Sequence, residues 1–313
     1  MNNIDMRDAF IGELYNRALD DKDIVFLSAE FGAPSLDAFR RDLPKQFINV
    51  GISEQNLISV AAGLAMGGKR VYAYSIASFI TLRCYEQIKI DLCVMNLPVT
   101  LLGVGPCYAY SVDGPTHHAT EDIAVMRALA NMTIYSPPDA KTASTLVDVS
   151  LKSKSPMYIR LDRGRYQPVC SSTEDLSTGF RMVKDGSDVC LFATGAMVHR
   201  ALEVRTVLSR HGIKTRVVDV YRLKPINAEC LAECISCFSR IVTIEEHTLH
   251  GGFGSIILEA ISDAGLCCAT KRFGIDDHQL YAYGIRDVLH QERGLDATSI
   301  VNTICTWMSK LKE

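Results

Sequence analysis

Short apolar runs rich in β-branched residues alternate with helix-like segments along this chain. The first set is "DIVFLSAE" (23–30), "QFINVG" (46–51), "RVYAYSI" (70–76), "VTLLGVG" (99–105), "MTIYSP" (132–137) and "PMYIRL" (156–161). Helical candidates lie between them, near 5–21, 53–67, 79–92, 120–130 and 138–152. The runs are continuously apolar instead of alternating in and out. That pattern suits strands covered on both faces, as in a parallel sheet with helical crossovers. The expected class is therefore α/β.

Residues 164–187, "GRYQPVCSSTEDLSTGFRMVKDGS", interrupt this rhythm. They are polar, carry Gly, Pro and Ser, and lack helical periodicity, so they read as a linker. The alternation resumes with "DVCLFATG" (188–195), "TRVVDVYRL" (215–223) and "RIVTIEEH" (240–247), separated by helices near 196–210, 227–238 and 253–264. Two doubly wound domains with mainly parallel sheets are expected: 1–165, a linker over 166–185, and 186–313. Ligands of open α/β sheets sit beyond the carboxyl ends of the strands. The loops to watch are thus "SAEFGAPS", "GISEQN", "SIASF", "GVGPCYAYSVDGPTHH" and "EEHTLHGGFG".

Charge narrows the function. A net charge of −3 offers no electrostatic reason to bind nucleic acid or an acidic membrane. No apolar run is long enough to span a bilayer, and the first residues are acidic where a signal peptide would be basic and then apolar. The expected location is the cytoplasm. With 11 scattered cysteines and no secretion signal, free thiols are expected instead of a disulfide framework. Cys230, Cys234 and Cys237 fall on one helix face with no second metal-ligand pair at zinc spacing. They are expected to be buried core thiols.

Two loops carry chemistry-bearing residues. "GPCYAYSVDGPTHHATED" holds Asp113 and the adjacent pair His117–His118, and long loops in compact domains are often functional. Neighbouring histidines suit a shared metal poorly, so no metal site is expected. "EEHTLHGGFGS" reads as a tight strand-to-helix turn, with an anion at the helix N-terminus as the alternative. Glu54, in "GISEQN", opens the small-residue helix "LISVAAGLAMGG". An acid in a first helical turn gains only ~0.3–1 kcal/mol from the dipole and needs no function to explain it. A carboxylate at the tip of a closely packed helix is, however, poorly solvated and suited to sharing a proton with a partner.

The stretches "NVGISEQNLISVAAGLAMGGKRVYAYSIASFITLRCYEQIKID" and "GVGPCYAYSVDGPTHHATEDIAVMRALANMTIYSPPDA" resemble the C-terminal half of transketolase. The resemblance is strongest to the smaller subunit of split transketolases and covers nearly the whole chain. It implies a thiamine diphosphate pyrimidine-binding domain followed by a transketolase C-terminal domain. It also implies a hydrogen bond from Glu54 to N1′ of the cofactor's aminopyrimidine, which helps the cofactor's own amine take the thiazolium C2 proton. Phe79 matches the aromatic that packs against the pyrimidine. Ile76 stands where the family often has another aromatic, and Arg83 falls in the same cofactor-binding stretch. Asp113, His117 and His118 match the substrate-facing motif, with His117 the proton carrier or oxyanion partner.

The resemblance also exposes departures. Transketolases acting on sugar phosphates often carry a phosphate-binding histidine where this chain has Gly105. Arg160 and Arg163 are then the candidate anion contacts, and free, phosphorylated and nucleotide-linked sugars all stay open. The Gly-Asp-Gly…Asn-Asn motif that holds the diphosphate and Mg²⁺ is absent from this sequence. A separately encoded partner subunit is expected to supply it, in a heterotetramer with two copies of each chain. Three alternatives are a 2-oxo acid dehydrogenase β-like subunit, a 1-deoxyxylulose-5-phosphate synthase-like enzyme and a non-catalytic homologue.

Overall fold

The computed structural model describes residues 4–29, 32–170 and 175–310. Glu30 and Phe31 of the first candidate loop, and residues 171–174 of the expected linker, lie outside it. Two sheets hold the described chain together. The strands are β1 (Ile24–Ser28), β2 (Phe47–Asn49), β3 (Arg70–Ile76), β4 (Val99–Val104), β5 (Thr133–Tyr135), β6 (Met157–Leu161), β7 (Phe180–Lys184), β8 (Val189–Ala193), β9 (Thr215–Val220), β10 (Arg222–Lys224), β11 (Arg240–Thr248) and β12 (Ala269–Ile275). The first sheet runs β10-β5-β6-β4-β3-β1-β2 and the second β12-β11-β8-β9-β7. All pairings are parallel except β10 with β5 and β7 with β9.

The helices are α1 (Met6–Asp20), α2 (Asp37–Asp42), α3 (Glu54–Met66), α4 (Tyr85–Gln87), α5 (Asp122–Arg127), α6 (Ala140–Leu151), α7 (Met197–Arg210), α8 (Ala228–Ser236), α9 (Phe253–Asp263), α10 (Arg286–Glu292) and α11 (Ala297–Lys310). The central strands are buried on both faces, as their continuous apolar runs require. In β1, Val25 and Leu27 join the cluster containing Leu57 and Ala61 of α3. The intervening Ile24 and Phe26 join Phe10 of α1 and Leu146 of α6. The α3 cluster continues into Phe192 of β8 and Ile257 of α9, so one apolar core links the two sheets.

Several expectations need correction. The expected linker contains β7, whose Phe180 pairs with Val220. It is an edge strand with Met182 and Lys184 exposed and no residue fully buried, so its sequence lacks the apolar run of a central strand. The run at 215–223 is not one strand. It leaves the second sheet after Val220 and enters the first as β10, where Arg222 lies opposite Tyr135. The helix expected at 79–92 is built mostly from wide π-helical turns, Phe79–Arg83 and Ile88–Val94, flanking α4. Cys230 and Cys237 are exposed and Cys234 half-buried, because α8 turns Leu231 and Ile235 to the core instead. Among the described residues, no helix is long and apolar enough to cross a membrane and no cluster of metal-ligating side chains occurs.

Candidate active site

β2 ends at Asn49, and Gly51, at φ 75°, turns the chain toward α3, a conformation glycine adopts at little cost. Glu54 is the first residue of α3 and is 3% exposed. Ala61, Ala62 and Ala65 are buried behind it, so the helix seats closely on the sheet. Ile76, buried, closes β3, and the chain then turns into the π-helical stretch bearing Phe79 and Arg83. Arg83 donates from Nη1 to Glu54 Oε2 at 2.7 Å. Its guanidinium lies 4.3 Å over the Phe79 ring. The acid is sealed, but its partner's side chain is 45% exposed.

The long loop after β4 reaches the same place. Cys107 and Ala119 exchange backbone hydrogen bonds of 3.1 Å, which pinches the loop shut at its base. The His117 ring meets the edge of Phe79 at 5.1 Å and Tyr110 at 5.9 Å. Its Nδ1 lies 2.9 Å from Thr116 Oγ1, which fixes the ring's orientation. Asp113 ends a short helical turn on the exposed side of the loop, just before Gly114 at φ 78°. Glu54, Phe79, Arg83 and His117 thus form one continuous cluster from three segments.

Two expected substrate contacts do not belong to it. The backbone sends the adjacent histidines apart. His118 is 5% exposed, packs edge-on to Tyr108 at 4.9 Å and donates from Nε2 to Ser111 O. Burial pushes its pKa below the usual histidine range. Arg160 is likewise buried. Its Nε and Nη2 reach the two oxygens of Asp122 at 2.7 and 3.1 Å, Nη1 reaches Ser136 and Nη2 also reaches Cys107 Sγ. Tyr158 donates to the same Asp122 at 2.7 Å. With its donors engaged, Arg160 is a structural cation.

Arg163 stays at the margin. It is exposed and lies 4.4 Å over Tyr110. Tyr110 is the site residue not singled out from sequence. Its ring packs on Gly105, whose Cβ, if present, would lie 2.5 Å from Tyr110 Cδ2. The position of the expected phosphate-binding histidine is therefore backed by an aromatic ring. The only sequence signal was a tyrosine inside an already suspicious loop.

A buried network between the sheets steadies the loop. His247 of β11 accepts at Nε2 from the backbone N–H of Ile123 and Ala124, at 3.1 and 3.3 Å, and donates from Nδ1 to Thr248 O. This needs a neutral ring, and burial lowers its pKa to about 4. Glu245 accepts from the N–H groups of Phe253 and Gly254, at 2.5 and 2.8 Å. The turn at "HGGFG" is therefore closed by the protein's own carboxylate, and the strand-to-helix reading holds over an anion site. Burial raises the Glu245 pKa to about 7 despite those two bonds. Glu246 is held at about 2, because Arg286 and His290 outweigh the cost of its burial.

A family model of the transketolase pyrimidine-binding domain matches residues 2–168, and one of the transketolase C-terminal domain matches 179–300. The chain belongs to the transketolase family. An apulose-4-phosphate transketolase subunit of Phocaeicola vulgatus is 33% identical to it over 99% of both chains. A putative transketolase C-terminal section of Methanocaldococcus jannaschii is 31% identical over 92% of each. A 1-deoxy-D-xylulose-5-phosphate synthase of Microcystis aeruginosa is 36% identical over 83% of this transketolase-family chain but only 42% of its own length. Among solved structures, one titled "Split gene transketolase, inactive beta4 tetramer" superposes with TM-score 0.88 at 33% identity, covering 97% of this chain and 98% of that one.

Proposed function

We propose that this chain is the smaller subunit of a thiamine diphosphate-dependent transketolase-type enzyme that moves a two-carbon ketol unit from a ketose to an aldehyde or keto acceptor. The observation that carries the proposal is the pairing of buried Glu54 with the Phe79 ring under a half-exposed Arg83. The residues fit an aminopyrimidine. The guanidinium of Arg83 is itself flat and nitrogen-rich, stacks on Phe79 and donates to Glu54, so the site accepts a group of that character.

In this reading Glu54 forms a hydrogen bond with a ring nitrogen, and its buried seat at the tip of α3 keeps water from competing for that bond. Phe79 orients the ring by stacking. His117, aimed by Thr116, passes protons or stabilises a developing oxyanion at the substrate carbonyl. Asp113 receives sugar hydroxyls, and Arg163 on Tyr110 faces an anionic substituent. Bound thiamine diphosphate supplies the thiazolium that takes up the electron pair released on carbon–carbon cleavage.

The diphosphate and Mg²⁺ fall to a separately encoded partner carrying Gly-Asp-Gly…Asn-Asn, in a heterotetramer. This sequence holds no Gly-Asp-Gly, and the relatives named as subunits support a partner. Co-expression with such a chain, followed by a sugar-donor screen, tests the assignment. Turnover is expected from the complex and not from this chain with cofactor and Mg²⁺. Glu54→Gln should assemble normally and lose activity by orders of magnitude, and unchanged turnover refutes its role. The synthase relatives favour one second reading, a pyruvate-dependent condensation, which a pyruvate requirement in the same screen would establish.

A further inference from the structure

The stretch "RTVLSRHGIKTR" (205–216) carries four Lys or Arg residues and no acid, in a chain whose net charge is −3. It folds the end of α7 back onto the start of β9. Gly212 and Ile213 donate to Ser209 O and Leu208 O, so these late carbonyls of α7 are engaged by backbone. Beside this turn opens a cavity of about 720 Å³, lined by Arg205, Lys214, Arg216 and Phe238 among others. Thr215 opens β9, while Ser187 and Phe238 precede β8 and β11. The cavity therefore lies at the amino ends of three parallel strands. Glu245 and His247 lie toward the carboxyl end of β11, so it is separate from the site already described.

The acids nearby are already engaged. Asp185 Oδ1 accepts from Nε and Nη2 of Arg216 at 3.0 and 2.8 Å, and Asp188 Oδ2 accepts from the backbone N–H of Lys214 at 2.8 Å. Arg216 is also set 4.7 Å over the Phe238 ring, so its position is fixed from two sides. Arg205 is braced by a bond from Nε to Thr215 O at 3.1 Å. Its Nη groups and the Lys214 ammonium have no partner among the described residues. Cations gathered without a free counter-acid repel one another, and a bound polyanion relieves that repulsion.

We propose that this cavity binds a small molecule bearing a diphosphate. Its oxygens take the Nη donors of Arg205 and the Lys214 ammonium, and the stacked pair Arg216–Phe238 forms one wall. A braced guanidinium with open donors is suited to phosphate oxygens, and the neighbouring ammonium adds a point charge. The volume is that of a site for a nucleotide-sized ligand.

The molecule carries its own reporter. Cys237 is exposed and lines the cavity, whereas Cys230 and Cys267 are exposed and do not line it. The full chain, free of Mg²⁺, is titrated with ADP, pyrophosphate and adenosine by calorimetry. Alkylation of each cysteine by iodoacetamide is followed by mass spectrometry. ADP and pyrophosphate should bind, and ADP should slow alkylation of Cys237 while leaving Cys230 and Cys267 unchanged. Adenosine should do neither. Lys214→Glu and Arg205→Met should each weaken ADP binding about tenfold or more. Lys154→Glu, which changes net charge outside the cavity, should not. Lys214 is exposed, so its variant tests the site even where the loss of the Arg205 brace disturbs folding. Absence of ADP and pyrophosphate binding at millimolar concentration overturns the proposal. So does binding without protection of Cys237, adenosine binding as tight as ADP, unchanged affinity in Lys214→Glu, or an equal loss in Lys154→Glu.

Discussion

Replacing Asp122 by alanine tests whether Arg160 is structure or substrate contact. Asp122 is fully buried and takes the Nε and Nη2 donors of Arg160 together with the Tyr158 hydroxyl. The change leaves a guanidinium 5% exposed with no counterion and a phenol with no acceptor. Breaking a buried pair from one side costs about 3–5 kcal/mol, mostly the penalty of the stranded charge. For a cooperative unit of about 150–250 residues, each kcal/mol moves Tm by about 2–4 °C, so the expected fall is ~6–20 °C. Removing both ions, in Asp122→Leu with Arg160→Met, strands no charge and should recover most of the loss. Differential scanning calorimetry and urea titration measure both variants. A single-variant shift below about 2 °C, or a double variant no better than the single, refutes the argument. Arg160→Met that raised KM at unchanged Tm would return Arg160 to the substrate.

Two further outcomes follow from the same region. Glu245, raised to about 7, binds a proton in the folded state over pH 4.5–7 that the unfolded chain has lost, so its contribution falls as pH rises. His247, lowered to about 4, does the reverse between pH 4 and 6.5, and the two groups lie 3.9 Å apart. Their slopes offset; in Glu245→Gln, unfolding free energy should climb with pH from about 4.5 to 6.5, by up to ~1.4 kcal/mol per unit. A flat urea-derived profile for that variant would refute the pairing. Gly105→Ala places a Cβ against Tyr110 at a φ of 70° and should cost ~1–3 kcal/mol by thermal unfolding. Adding Tyr110→Ala should remove the steric share, and strictly additive losses would count against the contact.

Much of the site was legible because its parts lie in short, locally meaningful stretches. Gly51 before Glu54 marks a turn into a helix, and the small residues behind it mark close packing. The length of the loop around Asp113 and His117 marked it as a candidate. His118 and Arg160 were misplaced for a different reason. Whether a histidine or arginine faces a substrate or a buried partner depends on what lies across from it. Those partners, Tyr108 and Ser111 for one and Asp122 with Tyr158 for the other, are chosen by backbone path and not by residue type.

The sequence by itself determined the α/β class, the two-sheet plan and the segments that converge on the candidate site. Apolar periodicity and turn residues are local properties, and burial on both faces writes itself into each strand. Tertiary structure alone decided that the run after Thr215 divides between two sheets and that β7 is an edge strand. It also decided that Arg83 covers Glu54. Each of these is a contact between residues distant in the chain, set by how sheets and helices stack, and no window of sequence contains both partners.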